Sequence, residues 1–203
     1  AIVRGGYFSN EDLPHGDLEE QKFAKELKSK KAIIFDMRKY PNGGLFYYFI
    51  PMALGKTSFE FAKYYKANLE NPGTFIRQEG EELYLSKDLK HDDHPYQGKI
   101  IILTNENTQS RGEWYSMMLR QWNENTTVIG SQTAGTDGDL KELNLPGGYQ
   151  FIFTGNAIFY PDGRGTQRIG IVPDIKFEPS VSEVLDPNDA HLKRAIIYVN
   201  EGK

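Results

Sequence analysis

One serine in this chain stands where a serine can attack. Ser110 separates an apolar run, residues 100–103, from an amphipathic segment that begins at Arg111. A serine at a strand-to-helix junction puts its hydroxyl at a helix start, where the first amides have no intrahelical partner and carry partial positive charge. The Arg111 amide is then half of an oxyanion hole. The same place also suits a plain N-cap serine, so residue type and position leave both readings open. The pair Gly43-Gly44 offers the second half. Glycine lets backbone approach a ligand closely, and these amides could meet a developing oxyanion from the opposite side. An ordinary tight turn explains the pair equally well.

Other chemistry is bounded by what the chain contains. There is no cysteine, which removes disulfides, thiolate zinc sites and a cysteine nucleophile together. His91-Asp92-Asp93-His94 has a metal-like spacing, but a solvated turn has the same composition, and no metal is expected. The net charge is -4 with no basic block, so nucleic acid is not an expected partner. Asp36 and Arg38 read as an ion pair after a strand, and Glu113 as a cap or partner one helical turn beyond Ser110. Tyr47, Tyr48, Tyr64 and Tyr65 could line a groove or fill the core.

The elements that position these residues alternate. Asp17 with Glu20 opens a helix carrying Phe23, Ala24 and Leu27 at helical spacing. Residues 32–35 form a short buried strand, and 37–44 a loop. The stretch 45–90 is mixed, with helix expected around 59–69. Residues 100–103 are apolar on both faces, as parallel strands are. A helix over 111–123 puts Trp114, Met118 and Trp122 on one face. A strand at 127–129, a glycine-rich turn at 130–138 and strands at 149–153 and 157–160 follow. Asp186-Pro187 is expected to open the last helix, with Leu192, Ala195, Ile196 and Val199 as its buried stripe. The 203 residues, 38% hydrophobic and 26% charged, suit one domain, 1–203. Alternating strands and helices predict an α/β fold with a largely parallel sheet and antiparallel pieces near 140–160. Ligands gather at the carboxyl ends of such strands. Right-handed crossovers put the loops 36–44 and 104–110 on the same edge. No apolar run reaches the ~20 residues of a membrane span; the longest, 45–54, contains Pro51.

Five segments in order resemble the C-terminal-processing (tail-specific) serine peptidases. They are Ala32-Ile33-Ile34-Phe35-Asp36-Met37-Arg38 with Pro41-Asn42-Gly43-Gly44, then Thr108-Gln109-Ser110-Arg111-Gly112-Glu113. Val128-Ile129-Gly130-Ser131-Gln132-Thr133-Ala134-Gly135, Leu145-Pro146-Gly147-Gly148 and Gly170-Ile171-Val172-Pro173-Asp174 complete the series, within residues 30–178. The resemblance implies a Clp protease/crotonase-like βαβ superhelix. It implies Ser110 as nucleophile, with the amides of Arg111 and of Gly43 or Gly44 as oxyanion donors. Tail-specific members place a general-base lysine directly after the G-x-x-T-x-G segment. Here Thr136 stands there, followed by Asp137; Lys141 lies off the motif. The pattern is closer to the tricorn-like branch, which uses a histidine base and a glutamate shortly before G-I-x-P-D. Gln167 occupies that glutamate position. A glutamine orients an imidazole by hydrogen bond but supplies no charge. The branch's histidine lies upstream of its serine, in a segment expected to precede Ala1. None of His15, His91, His94 or His191 sits in a matching motif. The resemblance further implies a polypeptide substrate, no cofactor, an extracytoplasmic bacterial setting, and 203 residues inert on their own. It also permits a non-catalytic peptide- or ligand-binding domain on the same fold, which Thr136 and Gln167 favour.

Overall fold

Strands apolar on both faces need cover on both sides, and the central strands here have it. The computed structural model describes residues 1–4, 6, 17–55, 59–68, 70–71, 73–77 and 94–202. Its main sheet contains β1 (Ile2–Arg4), β2 (Ala32–Asp36), β5 (Lys99–Thr104), β6 (Thr126–Gly130) and β10 (Ile175–Lys176), in the order β1-β2-β5-β6-β10. All four pairings are parallel, with Phe35 opposite Ile102 and Leu103 opposite Ile129. The α/β class with a largely parallel sheet is as the alternation predicts.

Helices α1 (Asp17–Lys28), α2 (Ile50–Leu54) and α3 (Arg111–Arg120) bury one face of the sheet. Ile33, Phe35, Ile100 and Ile102 pack there against Phe46, Tyr115 and Met118. The other face, with Ile34, Ile101, Leu103 and Ile129, is closed by Ala195 and Leu192 of α5 (Ala190–Glu201). A second sheet is antiparallel, ordered β4 (Phe75–Arg77), β3 (Lys63–Ala67), β9 (Asn156–Phe159). A separate hairpin pairs β7 (Leu140–Leu145) with β8 (Tyr149–Thr154). Its register sets Leu143 opposite Phe151 and Leu145 opposite Tyr149 on one face, and all four are exposed.

Three expectations are corrected. The helix expected around 59–69 is strand β3, because residues 63–67 bond laterally to both β4 and β9, with Tyr65 opposite Ala157 and Arg77. The last helix starts at Asp189, whose side chain accepts from the Leu192 amide. Asp186 instead closes a short helix, α4 (Val181–Leu185), donating its amide to the Ser182 carbonyl. Gly43 and Gly44 do not form a tight turn. They enter a helical segment that runs as a π-helix through Leu45–Phe49 into α2, with Gly44 at φ -59° and ψ -41°. The side chains of Tyr47 and Tyr48, and residues His15, His91, Asp92 and Asp93, lie outside the described set.

Candidate active site

β2 and β5 end side by side, and their loops interlock. The Met37 amide donates to the Leu103 carbonyl at 2.9 Å, and the Thr108 hydroxyl donates to the Met37 carbonyl at 3.0 Å. The loops 36–44 and 104–110 therefore share the carboxyl edge. Where they meet, Tyr115 donates to the Gly43 carbonyl at 3.4 Å. A Cβ at Gly43 would lie 3.3 Å from the Arg111 guanidinium, so the missing side chain makes room for α3's first turn. Arg111 in turn lies over the Tyr40 ring, 5.4 Å from its centre.

Ser110 is the residue before α3, with φ 48° and ψ -116°. A positive φ is uncommon for any residue with a side chain. Holding one costs on the order of 1–3 kcal/mol and requires surroundings that over-determine it. Glu113 supplies them. It is fully buried and accepts from the Ser110 amide at 3.1 Å, from the Gly135 amide at 2.7 Å, from the Thr136 amide at 2.9 Å and from the Thr133 hydroxyl. One carboxylate thus ties the helix start to the whole 133–136 segment, and its charge suits the positive end of α3. The other non-glycine residue with positive φ among those described, Arg168, donates its amide to the Gly135 carbonyl at 2.7 Å. Both strained residues flank one loop.

That loop closes a cleft over the start of α3. Ser110, Arg111 and Trp114 line one side, Asp137 and Leu140 another, and Tyr64 and Lys66 of β3 a third. Asp139 accepts from the Tyr64 hydroxyl at 2.6 Å and from Asn156 Nδ2 at 2.8 Å, joining the loop to the second sheet. Asp137 is buried. Its Oδ1 accepts from the Gly138 amide at 2.8 Å, while Oδ2 is buried and has no partner among the described residues. Burial pushes its carboxyl up to about 7; the Gly138 amide opposes the shift, and the charges of Glu113 and Asp139 add to it.

Ser110 and Arg111 are thus brought into one cleft, and Gly43 meets the Arg111 guanidinium from the neighbouring loop. Gln167 is placed behind the cleft. Its amide nitrogen donates to the Asp137 carbonyl at 2.9 Å and to the Asn156 carbonyl at 2.6 Å, so it holds the loop. Lys141 lies on the exposed strand β7, as expected. His191 sits elsewhere, edge-on to Phe177 at 5.1 Å; burial, then the Arg38 charge, lowers its pKa. Sequence reasoning did not single out Asp137 as a site residue. An Asp-Gly pair reads as a turn, and only the loop's fold over α3 buries it.

A serine with strained torsions thus stands at a helix start on the carboxyl edge of a parallel sheet. The model of peptidase family S41 matches residues 6–177, and the chain belongs to that family of serine peptidases. No curated protein matches the chain. Among solved structures, a putative peptidase from Parabacteroides merdae is similar over 100% of this chain and 61% of its own, with TM-score 0.72 and 19% identity. Mature CPAF, solved with lactacystin, is similar over 100% of this chain and 52% of its own, with TM-score 0.69 and 16% identity. Tricorn protease aligns with 98% of this chain and 17% of its own, with TM-score 0.52 and 18% identity. These likenesses carry the fold, which is the Clp protease/crotonase-like one. The chain spans between about half and three fifths of the length of the first two structures. Among the described residues no helix is long and apolar enough to cross a membrane.

Proposed function

We propose that the chain is the catalytic domain of a peptidase that cuts polypeptides through an acyl-enzyme on Ser110. The observation that carries the reading is the positive φ of Ser110, held by Glu113 at the mouth of a cleft. Ser110 attacks the scissile carbonyl, and the amides of Arg111 and of Gly43 or Gly44 take the tetrahedral oxyanion. The family resemblance assigns the base to a histidine upstream of Ala1. On that assignment these 203 residues are inert alone. An extracytoplasmic bacterial setting accompanies the reading, on the same resemblance. The reading is tested with a biotinylated fluorophosphonate on the full-length protein. An adduct at Ser110, lost in Ser110→Ala, is expected.

A second reading, a binding domain that keeps the fold, draws on Thr136 and Gln167, which replace ionisable residues of the related peptidases. It requires folded protein with no adduct at Ser110 and no peptide cleavage.

A further inference from the structure

The cleft carries a cation that the fold does not use. Arg38, Arg77, Arg120 and Arg164 each hold a carboxylate. Arg111 is exposed, lines the cleft with Ser110 and makes no ion pair among the described residues. It is also the first residue of α3. There its charge faces the positive end of the helix dipole, a placement that costs stability.

The guanidinium is nevertheless held in place. It lies over the Tyr40 ring, 5.4 Å from its centre, a cation–π contact. Its Nη1 is 3.3 Å from where a Cβ at Gly43 would stand, so the glycine leaves it room. A planar fork fixed in this way suits a carboxylate, which it meets through two parallel hydrogen bonds. The other charged groups of the cleft are Lys66 on β3 and Asp137 and Asp139 in the loop opposite. Asp137 is buried, and Asp139 is bonded to Tyr64 and Asn156. Neither acid pairs with Arg111.

We propose that the Arg111 side chain anchors a carboxylate of the substrate polypeptide close to the scissile bond, on the reading that Ser110 is the nucleophile. An acidic side chain and a free chain end present the same two oxygens, and either one fits the fork. Arg111 follows Ser110 directly in the chain. Its guanidinium therefore reaches no farther from the nucleophile than about two or three extended residues of substrate. The anchor selects by position as well as by charge. An amide in the same place offers one acceptor oxygen, a donor nitrogen that faces the guanidinium, and no charge.

The test uses full-length protein and one synthetic peptide library in three forms. The first has acidic side chains and an amidated end, the second a free chain end with Asn and Gln for Asp and Glu, the third neither carboxylate. Cleavage is read by mass spectrometry. Peptides with a carboxylate within about three residues of the cut should show kcat/KM about tenfold to a hundredfold above their amide counterparts. The form that shows this separates side chain from chain end. Arg111→Gln should bring the ratio near one, and Arg111→Lys should restore part of it. Tyr40→Leu, which keeps the charge and removes the ring, should lower it, and decides the matter if Arg111→Gln does not fold. A wild type that cleaves all three forms alike, or a preference that survives Arg111→Gln, overturns the anchor while the Ser110 reading stands. A wild type that neither cleaves nor takes the fluorophosphonate overturns the Ser110 reading. The anchor is then judged by fluorescence anisotropy with labelled peptides. Tighter binding of the carboxylate forms, lost in Arg111→Gln, supports it; equal binding, or none, refutes it.

Discussion

Glu113 shows how much one side chain can organise. Replacing it with glutamine keeps the volume but turns one acceptor oxygen into a donor that faces amides. The Ser110 and Thr136 amides share Oε2, and the Gly135 amide and Thr133 hydroxyl share Oε1, so a nitrogen at the first position faces two amide donors, and one at the second faces the Gly135 amide while the Thr133 hydroxyl turns to accept. Glu113→Gln should cost about 2–4 kcal/mol in urea unfolding, since unmade bonds to a buried charge are expensive. It should also slow Ser110 labelling, because the same bonds hold the strained φ. The place of Ser110 before α3 was legible in the sequence because an apolar strand ends shortly before it and an amphipathic helix begins just after it. Asp137 was not, because its environment comes from residues far along the chain: Glu113 on α3, and Gln167, which pins its carbonyl.

At the scale of elements, the strand β2 and the helix α5 are joined by Arg38. Its guanidinium donates to Asp36 through Nε at 2.8 Å and Nη2 at 2.6 Å, and to Asp189 through Nη1 at 2.9 Å. Asp189 also caps α5, and the Arg38 hydrogen bonds hold its carboxyl down to about 2. A depressed carboxyl contributes stability above its unfolded pKa and loses it as pH falls toward the folded value. Asp189→Ala should cost about 1–2 kcal/mol at neutral pH, the usual worth of a cap. The difference from wild type should vanish as pH falls toward 2, measured by thermal unfolding. The parallel sheet could be read beforehand because runs such as Ile100-Ile101-Ile102 are apolar on both faces. The strand β3 could not, since nothing local announces that Tyr65 will find Ala157, over ninety residues away. The start of α5 was misplaced because Asp186-Pro187 carries the local signature of a helix start while tertiary packing uses Asp189.

For the whole molecule, the loop that completes the cleft makes the protein pH-sensitive in the opposite sense. Asp137 keeps its proton in the folded state to about pH 7, against 3.8 as its ordinary value. Between those two values the folded state binds the extra proton, so stability declines as pH rises and stays lower above 7. The full decline is roughly 4 kcal/mol for a shift of that size. Urea unfolding at pH 5 and pH 8 should show the wild type weaker at pH 8, and Asp137→Asn should lose most of that difference. Ser110 adds a quieter burden of the same kind. Its torsions, φ 48° and ψ -116°, are the mirror image of an ordinary extended residue, a territory glycine enters freely and L-amino acids avoid. Glycine at 110 would relax the backbone. On the reading that Ser110 is the nucleophile, a hydroxyl held at those torsions trades robustness for reactivity.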